Sequence, residues 1–112
     1  CWDAYISSAF VAARTSKVRM LVAARPGYVH PVQLAKMIAA FDQLSGGRVA
    51  VNLIAGQSDI EARAEGITLS KEDRYALMDE DVQVMKLLWT ARGGVEFEGR
   101  FHSLKGARIA PK

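Results

Sequence analysis

Two short apolar runs constrain the fold of this chain more than any other feature: residues 17–24, "KVRMLVAA", and residues 48–57, "RVAVNLIAGQ". Successive side chains of a β-strand point to opposite faces, and in the second run both sets are apolar apart from Asn52. Strands that are apolar on both faces are typical of parallel sheets covered on both sides. The two runs therefore predict a parallel sheet in an α/β fold.

The segments around these runs carry helical patterns. Residues 4–14 and residues 31–44 each repeat apolar side chains every three or four positions. Pro31 suits the first turn of a helix, and Gly46 and Gly47 suit the position after its end. Helices that alternate with strands predict βαβ crossovers and parallel pairing.

A third helix is predicted from Ser70 to about Arg92, since Ser70 has the spacing of a capping residue. The alternating residues 95–104, with Glu98-Gly99 in the middle, predict a short hairpin after it. Spacing along the helix predicts that its apolar side consists of Tyr75, Met78, Val82, Met85 and Trp89.

Two parallel strands with three helices cannot cover both faces of their own sheet. We therefore expect the sheet to belong to a larger one or to pair with another copy of the chain. The chain begins with Cys1 instead of Met and stops at "ARIAPK". We accordingly expect residues 1–112 to be a single partial domain of a longer protein.

Composition argues against several classes of function. The net charge of +3 comes from 15 basic and 12 acidic residues that alternate along the chain, whereas nucleic-acid binders concentrate their basic residues. No apolar run approaches the roughly 18 residues of a membrane span. The only cysteine, Cys1, leaves no internal disulfide, which favours a cytoplasmic location. His30 and His102 lack metal-ligand spacing, so we expect no metal site, and we expect His102 to be exposed in the hairpin.

In parallel α/β folds, ligands bind beyond the carboxyl ends of the strands. The two runs end in "VAAR" and "NLIAGQ", where small side chains leave room for a flat ligand to approach the backbone. Asn52 lies near one of these ends. Its carboxamide has several hydrogen-bonding positions to satisfy, so we expect it to meet either backbone groups or a bound molecule.

The segment "HPVQLAKMIAAFDQLSGGRVAVNLIAG" resembles the motif of the bacterial luciferase-like flavin monooxygenases, with alkanesulfonate monooxygenases as the most similar subgroup. "KEDRYALMDEDVQVMKLLW" and "FEGRFHSLKGARIAPK" follow in the family's order. The resemblance implies a segment of a (β/α)8 TIM barrel with parallel strands, covering about the third and fourth strands and their flanking helices.

The resemblance also implies an activity. A two-component, FMN-dependent monooxygenase would take reduced FMN from a separate flavin reductase and use O2 to oxygenate a small organic substrate such as an alkanesulfonate. A deazaflavin-dependent oxidoreductase of the same fold and a non-catalytic, self-assembling barrel fragment are the alternatives. The resemblance further implies a homo-oligomer, a dimer in the family, that packs through helices 4–14 and 31–44. We expect the isolated segment to be inactive, because the rest of the barrel supplies other groups of the site.

The implied cofactor-binding residues lie at the two strand ends and at the start of the third helix: Ala23, Ala24, Asn52, Ala55, Lys71 and Tyr75. Ala55 stands where the family has threonine, and Lys71 stands where it has histidine. The resemblance places Cys1 beside the flavin as a catalytic residue. Arg25 faces either an anionic substrate or water, and Tyr75 is alternatively a plain core residue of its helix.

Overall fold

The parallel pair predicted from the sequence is present. The computed structural model describes residues 3–25, 27–56 and 58–110. Strand β1 (Met20–Ala24) pairs in parallel with β2 (Val49–Leu53), in a register that sets Leu21 opposite Ala50 and Ala23 opposite Asn52. A hairpin of β3 (Val95–Glu98) and β4 (Ser103–Ala107) forms a second, antiparallel sheet.

Helices alternate with the strands of the parallel pair. Helix α1 (Ala4–Ala13) precedes β1, and α2 (Pro31–Ser45) connects β1 to β2. A short α3 (Asp59–Ala64) and the long α4 (Lys71–Thr90) follow β2. The ends of α1 and α2 differ by one residue from the predicted 4–14 and 31–44.

The helix ends follow from local chemistry. The Nδ1 atom of His30 accepts a hydrogen bond from the N–H of Val32 at 3.2 Å, and Pro31 occupies the first turn of α2, where no N–H is needed. Gly46 ends that helix in the left-handed conformation, with φ of 70°. Ser70 caps α4 by accepting from the N–H of Asp73 at 3.2 Å.

One face of the parallel sheet is covered. Val22 and Ala24 are buried there, and Val49, Val51 and Leu53 of β2 pack on the same core. That core lies mainly between α2 and α4 and includes the following buried residues: Leu34, Ala35, Ile38, Ala39, Val84, Met85 and Leu88.

The opposite face of the sheet, which we call the open face, consists of Leu21, Ala23, Ala50, Asn52 and Ile54. Strand alternation and the register place these side chains together. Leu21 is 70% exposed, and Ala23 and Asn52 are also exposed. The molecule measures 40 × 37 × 15 Å, a thin slab with one layer of helices on one side of its sheet. The expectation that this sheet cannot cover itself is therefore met.

Helix α4 corrects one prediction. Its buried apolar residues are Leu77, Val84, Met85 and Leu88. Of the predicted apolar side, Met85 is buried, and Val82 and Trp89 are half-buried and pack against the core. Tyr75 is 47% exposed, and its interpretation as a plain core residue is wrong. The buried side of α4 includes Arg74, Glu80 and Asp81, whose charges hid it from a search for apolar spacing.

Arg48 closes the amino end of the parallel pair. Its guanidinium donates to the carbonyls of Ala12, Val18 and Ser45 at 2.9, 3.1 and 2.7 Å, and to the hydroxyl of Thr15 at 3.0 Å. These bonds hold the end of α1 against the start of β2. Arg48, which follows Gly46 and Gly47 in the sequence, therefore stabilises the fold and is not part of the candidate site.

Candidate functional site

The carboxyl ends of β1 and β2 lie side by side and define the candidate site. Ala24 is opposite Leu53, and the N–H of Ile54 donates to the carbonyl of Ala24 at 2.8 Å, which extends the pairing by one step. The loops that begin at Arg25 and Ala55 therefore leave the same edge of the sheet.

Ala23 and Asn52 are neighbours at this edge, on the open face. Asn52 is exposed, so its carboxamide stands next to a small side chain on an apolar surface. Ala24 points to the other face and is 3% exposed, which removes its side chain from the open face. A planar ring laid on the open face would contact Ala23 and reach the amide of Asn52.

The loop after β1 is folded onto the segment after α3. The guanidinium of Arg25 lies 4.2 Å above the centre of the Tyr28 ring, and its Nη1 atom is 3.4 Å from a carboxylate oxygen of Glu65. Gly27 has φ of 88°, and a Cβ atom there would lie 3.0 Å from Ile67. Arg25 is half-buried and already has an anionic neighbour, which leaves its substrate role a prediction.

The loop after β2 is held by two consecutive residues of α4. Arg74, which is 1% exposed, donates from Nε to the carbonyl of Ala55 at 3.1 Å. The hydroxyl of Tyr75 lies against Gly56, since a Cβ atom at Gly56 would be 2.8 Å from it. Ala55 itself is 2% exposed. Arg74 was not predicted as a site residue, although it lies directly before Tyr75 in the motif "KEDRY".

Lys71 is the first residue of α4 and is exposed. It precedes Tyr75 by four residues, so both lie on one side of the helix. A helix N-terminus favours negative charge, and the first turn already contains Glu72 and Asp73. An anionic group that reached Lys71 would be attracted by the ammonium and the helix N-terminus and repelled by these two carboxylates. Cys1, the predicted catalytic residue, lies outside the described residues.

A second polar cluster fastens the hairpin to α4. Glu80 accepts from the backbone N–H groups of Arg100, Phe101 and His102 at 3.1, 2.9 and 2.7 Å. A Cβ atom at Gly99 would overlap the Glu80 carboxylate, so glycine is needed at the tip.

His102 belongs to this cluster. Its Nε2 atom is 2.6 Å from Asp81, and its side chain is only 11% exposed, so the prediction that it is exposed is wrong. The rings of His30 and His102 meet edge to face with centres 5.1 Å apart beside a cavity of about 320 Å³. Burial raises the pKa of Asp81, and His102 opposes this shift. Within residues 3–25, 27–56 and 58–110, no three His, Cys, Asp or Glu residues are grouped to hold a metal ion.

A sequence profile of the luciferase-like monooxygenases matches residues 2–112. This chain belongs to the luciferase-like monooxygenase family. Monooxygenase RslO1 from Streptomyces bottropensis is 32% identical, with a TM-score of 0.85 over 98% of this chain and 33% of its own.

Other solved structures share the fold. An F420-dependent secondary alcohol dehydrogenase, in complex with an F420-acetone adduct, is 28% identical, with a TM-score of 0.83 over 97% of this chain and 34% of its own. EDTA monooxygenase from Chelativorans sp. BNC1 is 21% identical, with a TM-score of 0.82 over 98% of this chain and 32% of its own.

This luciferase-like chain spans about a third of the length of the structures that it matches. The predicted fold class, a segment of a luciferase-like (β/α)8 barrel with parallel strands, is confirmed. Among the described helices, none is long and apolar enough to cross a membrane. The cytoplasmic location and the limits of the domain stay predictions.

Proposed function

We propose that this chain is part of an FMN-dependent, two-component monooxygenase and forms one wall of its flavin site. The observation that carries the proposal is the open face at the carboxyl ends of β1 and β2, where exposed Ala23 and Asn52 are register neighbours. An apolar surface with one carboxamide fits a planar ring that has polar atoms at its edge.

The residues at this edge of the sheet fit FMN. Ala23 and Leu21 provide the flat surface, and Asn52 provides both a donor and an acceptor. Tyr75 is half-exposed beside Gly56 and supports the loop after β2. Lys71 at the start of α4 is placed to meet a phosphate. FMN, when bound and reduced by a separate reductase, supplies the two electrons with which O2 oxygenates a small organic substrate such as an alkanesulfonate.

The role of Asn52 is tested by Asn52→Ala in the intact protein. Loss of one hydrogen bond to FMN is expected to raise its Kd about tenfold. Gln43→Ala is the matched control, because Gln43 is an exposed amide near the end of α2, towards the amino end of the parallel pair. Fluorescence titration measures both. An unchanged Kd for Asn52→Ala would show that this amide does not hold the flavin.

A deazaflavin-dependent oxidoreductase is the second candidate, supported by the 28% identity to the F420-dependent dehydrogenase. The two activities differ in their use of oxygen, because hydride transfer consumes none. Parallel titrations with FMN and F420, followed by oxygen-electrode measurements with the reduced cofactor, separate them. Tight binding of F420 without oxygen uptake would favour the second candidate.

We also propose that α1 and α2 pack against a second copy of the chain. They border an apolar groove of about 570 Å³, lined by Tyr5, Ile6, Ala9, Met37, Phe41 and Leu44, among others. Ile6, Phe10 and Leu44 are 73, 61 and 90% exposed, a large apolar area for a free surface. Ile6→Glu, in the groove, is expected to shift the elution volume to that of a monomer, whereas Val18→Glu, outside the groove, is not. An oligomer that binds neither flavin would instead support the self-assembling, non-catalytic alternative.

A further inference from the structure

Arg74 is a buried cation that joins three separate segments near the candidate site. Its Nε donates to the carbonyl of Ala55 at 3.1 Å, and its Nη1 donates to the carbonyl of Leu69 at 3.0 Å and to the carboxylate of Asp59 at 2.9 Å. These acceptors lie in the loop after β2, before α4, and at the start of α3. At 1% exposure, the guanidinium fixes the relative positions of all three.

The bond to Ala55 also determines the direction of the next amide. The carbonyl of Ala55 and the N–H of Gly56 belong to the same peptide unit, which is planar and almost always trans, so the two groups point in opposite directions. The carbonyl points to a guanidinium in the interior. The N–H of Gly56 therefore points away from the interior, and Gly56 is itself exposed.

Gly56 packs against the side chain of Tyr75. The hydroxyl of Tyr75 occupies the space that a side chain at this position would need, because a Cβ atom would be 2.8 Å from it. The consecutive residues Arg74 and Tyr75 thus hold two consecutive residues of the loop. This loop begins directly after β2 on the edge of the sheet where Asn52 lies.

We propose that Arg74 is a positioning residue that presents the N–H of Gly56 as a fixed hydrogen-bond donor to an oxygen or nitrogen acceptor of the flavin. The inference rests on the proposed flavin site and adds a backbone donor to the amide of Asn52. A donor fixed before binding loses little entropy when the ligand arrives. Arg74 touches no ligand itself and acts through the peptide that it holds.

The chain offers a matched control in Arg48. Arg74 donates to two backbone carbonyls and one carboxylate, and Arg48 donates to three backbone carbonyls at the amino end of the parallel pair. Replacing either arginine by methionine keeps an unbranched side chain and removes the donors. Both variants lose framework bonds, and only Arg74→Met releases the peptide of Gly56.

The first measurement uses the unmodified intact protein with ¹⁵N-labelled glycine. Addition of FMN is expected to shift the Gly56 amide resonance and slow its hydrogen exchange. If FMN binds and the Gly56 amide does not respond, the inference is overturned while the proposed function stands. If FMN does not bind at all, the proposed function fails, and the flavin-free spectra of the variants then decide the positioning role.

The second measurement compares variants. In the flavin-free protein, Arg74→Met is expected to shift the Gly56 amide and speed its exchange, and Arg48→Met is not. Arg74→Met is also expected to weaken FMN binding about tenfold, the effect of one hydrogen bond, and to alter the visible spectrum of the bound flavin.

Arg74→Lys keeps the buried charge and is expected to give partial rescue, which keeps the test decisive if the methionine variant does not fold. Equal effects of the Arg74 and Arg48 variants on the Gly56 amide would overturn the positioning role.

Discussion

The two small sheets of this molecule both pack on the apolar core beside the long helix α4, and the hairpin is also held to that helix by buried acidic side chains. The parallel pair packs one face on an apolar core that includes Val84 and Leu88, and its open face has no cover within the described residues. The hairpin contributes Val95 to the same core, and its tip is held in addition by two acidic side chains of α4, Glu80 and Asp81. The first arrangement leaves a surface for a ligand or a further layer, whereas the second fixes the hairpin as framework.

The largest expected effect lies in the core of the parallel pair. Leu88 is fully buried, so Leu88→Ala is expected to lower the free energy of unfolding by about 2–5 kcal/mol through lost burial and a cavity. Its neighbour Leu87 is 41% exposed, and Leu87→Ala is the matched control, with an expected loss below about 1 kcal/mol. Urea unfolding measures both. Equal losses of unfolding free energy in the two variants would contradict the assignment of Leu88 to the buried side and Leu87 to the exposed side of α4.

The hairpin attachment is tested by Glu80→Gln. The amide retains one acceptor oxygen but places an NH2 group against backbone N–H donors. The expected loss is about 1–3 kcal/mol, with increased hydrogen exchange at residues 100–102. Glu72→Gln changes an exposed carboxylate on the same helix and is expected to cost less than about 0.5 kcal/mol. Unchanged exchange at the hairpin tip would contradict the attachment.

Asp81 makes the hairpin attachment pH-dependent, and the sign follows from its raised pKa. Because the folded protein holds this proton more tightly than the unfolded chain, the carboxyl contributes most stability below pH 3.8, and the contribution falls as pH rises through the raised pKa. Asp81→Asn should remove this part of the pH dependence, and the exposed Asp79→Asn should not. Urea titrations at a series of pH values from pH 3 upward, about one pH unit apart, measure the difference. If the free energy of unfolding of Asp81→Asn depended on pH as steeply as that of the wild type, Asp81 would be excluded as the source of the pH dependence.

The same contrast explains what could be predicted from the sequence. Parallel pairing, the start of α2 at Pro31 and its end at Gly46 follow from patterns within a few residues. The hairpin attachment does not, because Glu80 and Asp81 meet partners about twenty positions away. Arg74 was missed for the same physical reason. A buried charge with carbonyl acceptors has no apolar period, and its partners are defined only once the loops are folded.

The smallest expected effect is on the open face. Leu21 is 70% exposed, so Leu21→Gln in this chain is expected to change the free energy of unfolding by less than about 0.5 kcal/mol. Val22, the next residue, is 1% exposed on the covered face, and Val22→Gln is the matched opposite, with an expected loss of several kcal/mol from burying an unpaired amide. A large loss in Leu21→Gln would mean that another copy of the chain covers the open face in solution. In that case Ala23 and Asn52 would be shielded from a flavin, because a layer that buries Leu21 also passes over its neighbours on the same strand pair.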